Sequence, residues 1–277
     1  MIKLGQYNEL TIKRMVDFGA YLVDDEGNEV LLPKRYLSGD ERPGDWGRVF
    51  VYNDSENRPV ATTEHPVAQV GDFALMRVSD VNQVGAFLDW GLENKDLLCP
   101  FREQRVKIAK GRSYIVRVYL DEPSQRIVAS AKLDKFLSKR RPNFYHRQKV
   151  DVLVTQRAEL GYRVIVDNHF WGMLYSNEIY GDINIGERHT GFVKQVRDDG
   201  KVDVTLEKIE KARVDDLSTV ILDYLKAHGG EMPLTDKSDP ASIMRQFNCS
   251  KKDFKKALGQ LYKLKKVTLA PDATRLA

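Results

Sequence analysis

The sequence predicts a mainly β protein, three small barrels in tandem followed by a C-terminal α+β domain. Three observations carry that reading. The segment Val16-Asp17-Phe18-Gly19-Ala20-Tyr21-Leu22 is echoed by Gln83-Val84-Gly85-Ala86-Phe87-Leu88 and by Leu160-Gly161-Tyr162-Arg163-Val164, each a glycine inside an apolar, aromatic strand. Each echo leads to a short apolar stretch (Leu31-Leu32-Pro33, Leu97-Leu98-Cys99, Met173-Leu174-Tyr175), a turn glycine (Gly44, Gly111, Gly186) and a strand ending in Ala61-Thr62, Ala129-Ser130 or Val204-Thr205. The spacing is about 70 residues, the size of a small barrel and too long for a solenoid repeat. Beyond residue 211 the hydrophobic period changes from two to about 3.6, the signature of helices.

Residues 1–65 form the first unit. Leu10, Ile12 and Met15 begin its apolar alternation, and Val49, Val51 and Val60 fall in later strands. Asp25-Glu26-Gly27-Asn28 and Asn53-Asp54-Ser55 read as hairpin loops. Residues 66–133 repeat the plan from Val70-Gly71 through the Asp121-Glu122-Pro123-Ser124 turn to Ile127-Val128-Ala129. Five short strands with a glycine-kinked second strand fit a small closed barrel of the oligonucleotide-binding (OB) type. Residues 134–145 form a basic linker in which Phe136–Arg141 starts like a helix and stops at Pro142. Residues 146–210 make the third and most diverged barrel, with a tight turn at Asp198-Asp199-Gly200.

Residues 211–277 read as helices. Val214, Leu217, Ile221 and Leu225 form a stripe closed by Gly229-Gly230. Pro240 opens a second helix through Ile243 and Phe247, and Ser250 caps a third with Phe254, Leu258 and Leu261 inward. A hairpin with its turn at Pro271-Asp272 completes the winged-helix plan. The third helix is then the recognition element, with Lys252, Lys255, Lys256 and Lys263 outward.

A net charge of +4 names no partner, but its distribution is uneven. Lys132, Lys135, Lys139, Arg140, Arg141, Arg147 and Lys149 cluster against Asp134, and a second lysine run spans residues 251–266. Such patches attract phosphates, although a single run is more simply a solvated face. Cys99 and Cys249 imply neither a disulfide framework nor a zinc site and are expected in the core or an interface. No leader peptide and no apolar run of about 18 residues is evident, so the expectation is a cytoplasmic protein without a membrane partner. The five histidines lack ligand spacing, and there is no nucleophile elbow or phosphate loop. Asp24-Asp25 and Asp198-Asp199 are turn acids. No enzymatic activity, cofactor or metal is expected.

The strand Asp17–Leu22 resembles the signature of S1 RNA-binding domains, an aromatic, a glycine, a small residue and a second aromatic. Three S1-like barrels followed by a winged helix resemble the bacterial conserved virulence factor B family, which also includes YitL-type proteins, over essentially the whole chain. The resemblance implies single-stranded RNA as partner and a regulatory role in gene expression, virulence genes included.

It also implies which residues bind. Phe18 and Tyr21 match both stacking aromatics; Phe87 matches one, with Val84 in place of the other; Leu160 and Arg163 stand there in the third copy. S1 domains often have a histidine just after the third strand's apolar doublet; Pro33, Cys99 and Tyr175 occupy those places here, and Tyr175 alone keeps a contact group. Uneven binding among the barrels follows. Trp90 and Trp171 are further candidates on or beside the same faces, whereas Trp46 reads as packing. Lys34 and Arg35 suit phosphate or solvent equally, and Lys139, Arg140 and Arg141 can continue the path between barrels.

Phe18 and Tyr21 are three apart, so a regular strand would send them to opposite faces; a bulge at Gly19 is expected to bring them together. The alternative is that both are core. On the winged helix, Lys252, Lys255 and Lys256 favour backbone attraction, with only Asn248 and Gln260 able to read bases. A DNA-binding regulator acting through the winged helix, a ribosome- or polymerase-associated adaptor, and an RNA-processing enzyme are the rival readings.

Overall fold

The structure, a computed structural model, describes residues 1–93, 95–179 and 182–277, without the side chains of 178 and 207–216. The chain is 43% strand and 16% helix, in three five-stranded barrels and a C-terminal winged helix. Strands β1 (Gln6–Val16), β2 (Gly19–Val23), β3 (Glu29–Pro33), β4 (Trp46–Asn53) and β5 (Pro59–Thr62) close in the order β1-β2-β3-β5-β4. Strands β6 (Phe73–Val81), β7 (Gly85–Leu92), β8 (Lys95–Pro100), β9 (Ser113–Asp121) and β10 (Arg126–Ser130) run β10-β9-β6-β7-β8, with β10 lying against β8. Strands β11 (Lys149–Ala158), β12 (Gly161–Val166), β13 (Phe170–Tyr175), β14 (Arg188–Val196) and β15 (Val202–Thr205) close as the first set does.

The repeated glycine has a physical cause. A Cβ at Gly19, Gly85 or Gly161 would lie 2.1, 2.4 or 2.1 Å from the carbonyl oxygen of Leu32, Cys99 or Leu174 on the facing strand. Only glycine lets the second and third strands approach so closely. The expected bulge is not at this glycine. It sits on the first strand, where the register shifts between Ile12 and Arg14, between Val78 and Asp80, and between Val154 and Gln156. That shift reverses the strand's parity, so Arg14 faces outward with Tyr21 while Met15 falls opposite Ala20 on the face of Leu10 and Ile12, where it remains 40% exposed near the strand's end.

Register corrects a second expectation. Gly19 pairs with Pro33, Gly85 with Pro100 and Gly161 with Tyr175. Pro100, not Cys99, therefore stands where Pro33 and Tyr175 do, and Cys99 takes the core place of Leu32 and Leu174. Burial pushes the Cys99 thiol up to about 11, and Cys249 is buried as well.

The barrels pack into one another. Phe50 of the first meets Trp90 of the second edge-on at 5.5 Å, and Val70 N–H donates to the Gly5 carbonyl. Phe73 and Ile115 of the second pack with Leu153 and Ile165 of the third around Leu137. The expected helix between these barrels is absent. A single 3₁₀ turn, Leu133–Lys135, precedes an irregular segment held by a Ser138 N–H bond to the His169 carbonyl and by burial of Leu137. Tertiary anchoring of this kind overrides a weak helical propensity.

The C-terminal domain comprises α1 (Glu207–Ala227), β16 (Glu231–Met232), α2 (Pro240–Phe247), α3 (Lys251–Lys263), β17 (Val267–Leu269) and β18 (Thr274–Leu276). Asp239 caps α2 through the amides of Ala241 and Ser242, and Ser250 caps α3 through that of Asp253. Leu217, Ile221, Leu225, Phe254, Leu258 and Leu261 meet in its core; Val214 lies outside the described side chains. Beyond the expected hairpin, β16 adds a third strand beside β18. Among the described residues no helix is long and apolar enough to cross a membrane.

Candidate nucleic-acid interface

In the first barrel the candidate side chains converge. Phe18 occupies the turn between β1 and β2 and is 58% exposed. Its carbonyl accepts from Lys34 N–H at 2.9 Å, which fixes the turn against the end of β3. Tyr21, half-buried, pairs with Arg14 across the hairpin, and its ring lies 6.4 Å from that of Phe18 at 82°. The two rings thus share an outer face because Phe18 belongs to the turn rather than to the strand.

Arg14 lies 4.1 Å over the Tyr21 ring and bonds Glu29 at 2.6 Å, beside a Lys13–Glu29 pair at 2.7 Å. Lys13 and then Arg14 hold the Glu29 carboxyl below its ordinary range. Lys34 and Arg35 are exposed on the 3₁₀ turn that follows β3, with Arg35 4.8 Å over the Tyr36 ring. Aromatic faces, a guanidinium and two further cations therefore lie around one hairpin. Trp46, expected to pack, is 74% exposed. It opens β4 opposite Thr11, ahead of the stretch that Phe50 and Tyr52 bury against the second barrel.

The second barrel differs. Trp90 is 1% exposed, with its indole N–H donating to the Ala68 carbonyl at 2.7 Å, so it is core and is removed from the stacking candidates. Val84 is exposed in the place of Phe18, and Phe87 is half-buried in a cleft against the first barrel. Phe101, which sequence reasoning missed, is 49% exposed directly after Pro100, where Lys34 stands in the first copy. Its signal was an aromatic at the 3₁₀ turn following the third strand.

In the third barrel Leu160 is exposed in the same turn position. The Arg163 guanidinium covers one face of Trp171 at 3.6 Å, and both reach Asp134, at 3.3 and 2.8 Å. Tyr175 donates its hydroxyl to Asp203 at 3.3 Å. These groups are tied into the protein and do not form an open ring pair. Lys139, Arg140 and Arg141 are exposed, Arg141 lying 3.8 Å from Asp198. On α3, Lys252, Lys255 and Lys256 are exposed, and Lys255 lies 3.5 Å from Asp236. Asn248 is the left-handed cap of α2. The structure thus gathers Phe18, Tyr21, Lys34 and Arg35, and leaves the other candidates at separate places along the chain.

Comparison with known proteins agrees with this layout. A family model described as S1 domain matches residues 4–64, and one described as CvfB-like winged helix domain matches residues 219–276. Both are nucleic-acid-binding domain families rather than enzyme families. The chain is 30% identical over 274 residues to the uncharacterized protein YitL of Bacillus subtilis strain 168, covering 95% of this chain and 90% of that one. Conserved virulence factor B of Staphylococcus aureus strain N315 is 23% identical over 252 residues, covering 88% of this chain and 84% of that one. A crystal structure of a multidomain protein with nucleic acid binding domains from Streptococcus pneumoniae TIGR4 aligns at 26% identity over 99% of this chain and 98% of that one, with a TM-score of 0.40.

Proposed function

The chain belongs to the conserved virulence factor B family, and from that premise we propose that it is a regulator of gene expression that binds single-stranded RNA through its barrels, the winged helix adding affinity. The observation that carries this reading is the ring pair of exposed Phe18 and half-buried Tyr21 with Arg14, Lys34 and Arg35 around it. Unpaired bases offer π-faces that aromatic platforms hold at about 1–3 kcal/mol each, and the neighbouring cations neutralise the backbone. A duplex hides those faces. The units 1–65, 66–133, 146–210 and 211–277, joined by the 134–145 linker, act as linked modules whose combined affinity comes from effective concentration.

The winged helix contributes charge. Changing Lys252, Lys255 and Lys256 together to glutamine is expected to leave RNA binding in place while making its salt dependence shallower. If all three meet phosphate, the slope of log K against log salt should fall by about 2, at roughly 0.7 per contact on a single strand. Anisotropy titrations of the intact chain between low and physiological salt measure both. Complete loss of binding in this variant would transfer recognition to the winged helix.

A further inference from the structure

Trp46 is 74% exposed, although indole is among the largest apolar groups a chain can bury. An aromatic ring left in water adds little to the fold, and tryptophan is enriched where proteins hold partners. Its position in the first barrel identifies the partner.

Backbone register sets the face. Trp46 stands opposite Thr11, Thr11 opposite Val23, and Val23 opposite Glu29, a row that runs across β4, β1, β2 and β3. Residues paired across strands point to the same side. Leu10, Ile12, Val49 and Val51 lie in the barrel core, so Thr11, Trp46 and Arg48 point outward. Arg14 and Tyr21 are the next outward pair of the β1–β2 hairpin. One continuous surface therefore runs from Phe18 and Tyr21, over Arg14, to Trp46. Strands β2 and β4 flank β1, which places their backbones about 10 Å apart. The floor between the rings is low, because Val23 and Thr11 are β-branched and half-buried. Toward the second barrel the same face is closed, where Phe50 and Tyr52 are buried.

The charges on this face suit phosphate. Arg48, exposed two residues beyond Trp46, lies 4.5 Å over the Tyr7 ring and opposite Glu9. Lys13 and Arg14 share Glu29. Asp45, the neighbour of Trp46, turns its carboxylate onto the Arg42 amide at 2.7 Å. Lys13, Arg14 and Arg48 thus outweigh Glu9 and Glu29. An OB-type barrel holds about 4–16 nucleotides of a single strand, and the Phe18–Tyr21 pair alone offers too few platforms for that length.

We propose that Trp46 is a further stacking platform, reached by an RNA strand that crosses β1 from the Phe18–Tyr21 pair with Arg14 and Arg48 along its phosphates. The proposal rests on the single-stranded RNA reading above, and it adds to that reading the path of the strand over the first barrel.

The test uses the intact chain and a single-stranded RNA of about 12 nucleotides, within that site size. The tryptophans are Trp46, Trp90 and Trp171. Trp90 is core, and Trp171 has one face under Arg163. Trp46→Phe keeps a stacking ring and deletes the indole, so the difference between parent and variant isolates the emission of Trp46. RNA is expected to quench that emission and to shield it from acrylamide. Trp46→Ala should weaken binding by about fivefold or more, the low end for one stacked base, while Trp46→Phe stays near the parent and neither variant melts earlier. RNA that binds parent and Trp46→Ala equally, or that leaves the Trp46 emission open to acrylamide, would overturn the proposal and leave the RNA reading standing. Absence of RNA binding by the parent would remove both.

Discussion

Replacing Phe18 and Tyr21 together with alanine is expected to weaken single-stranded RNA binding by at least about 30-fold, two stacked bases being worth about 2 kcal/mol at the low end. The fold should hardly notice. Phe18 is 58% exposed in a turn, and Tyr21 stands outside the core formed by Ala20 and Leu22. The structural loss is the Arg14–Tyr21 contact, about 0.5–1 kcal/mol at an exposed site. Anisotropy gives the affinity and thermal melting the stability. A variant that melts far below the parent would mean that the rings are core and that their loss from binding is indirect.

The reverse pattern is expected of Trp90→Ala. Trp90 is buried between two barrels, edge-on to Phe50 and hydrogen-bonded to the Ala68 carbonyl. Truncating a buried aromatic costs about 3–5 kcal/mol, and here it also opens the contact that joins the first barrel to the second. Near-ultraviolet circular dichroism and urea titration should show loosened packing at denaturant concentrations the parent tolerates. Trp90→Phe keeps most of the volume and loses the indole hydrogen bond, so its cost should fall to about 1–3 kcal/mol. If Trp90→Ala leaves stability unchanged and abolishes RNA binding alone, the inter-barrel packing described above is wrong.

Two tryptophans, Trp90 on β7 and Trp46 on β4, show what a single sequence can and cannot disclose. Trp90, a stacking candidate, is buried, and Trp46, expected to pack, is exposed. Trp90 shares the parity of the buried Ala86 and Leu88, so the alternation of β7 itself places it inward, whereas Trp46 opens β4 before that strand's buried stretch begins. The repeat itself was legible because one steric demand recurs: a facing carbonyl about 2 Å from where a Cβ would lie admits only glycine. Caps at Asp239 and Ser250 were legible for a similar reason, since short polar side chains satisfy the first amides of a helix.

Register was less legible. Leu97-Leu98 drew the apolar doublet one place early, and only backbone pairing puts Pro100 opposite Gly85. The bulge between Ile12 and Arg14 puts Met15 opposite Ala20, on the face of Leu10 and Ile12, because one residue of slip changes the face of all that follow, yet Met15 stays 40% exposed there. At the candidate site, the convergence of Phe18 and Tyr21 was expected but its cause was not. A turn residue escapes strand parity, so no bulge at Gly19 is needed to bring the rings together. Phe101 went unseen because it belongs to the turn after β8 rather than to a strand.

The most direct test of the central claim is a competition on the intact chain, at matched ionic strength, between a labelled single-stranded RNA and unlabelled competitors: the same RNA, and a duplex DNA of equal length. The RNA is expected to displace the label at much lower concentration than the duplex, because stacking platforms need unpaired bases. Equal or better displacement by the duplex would contradict it and assign recognition to the winged helix.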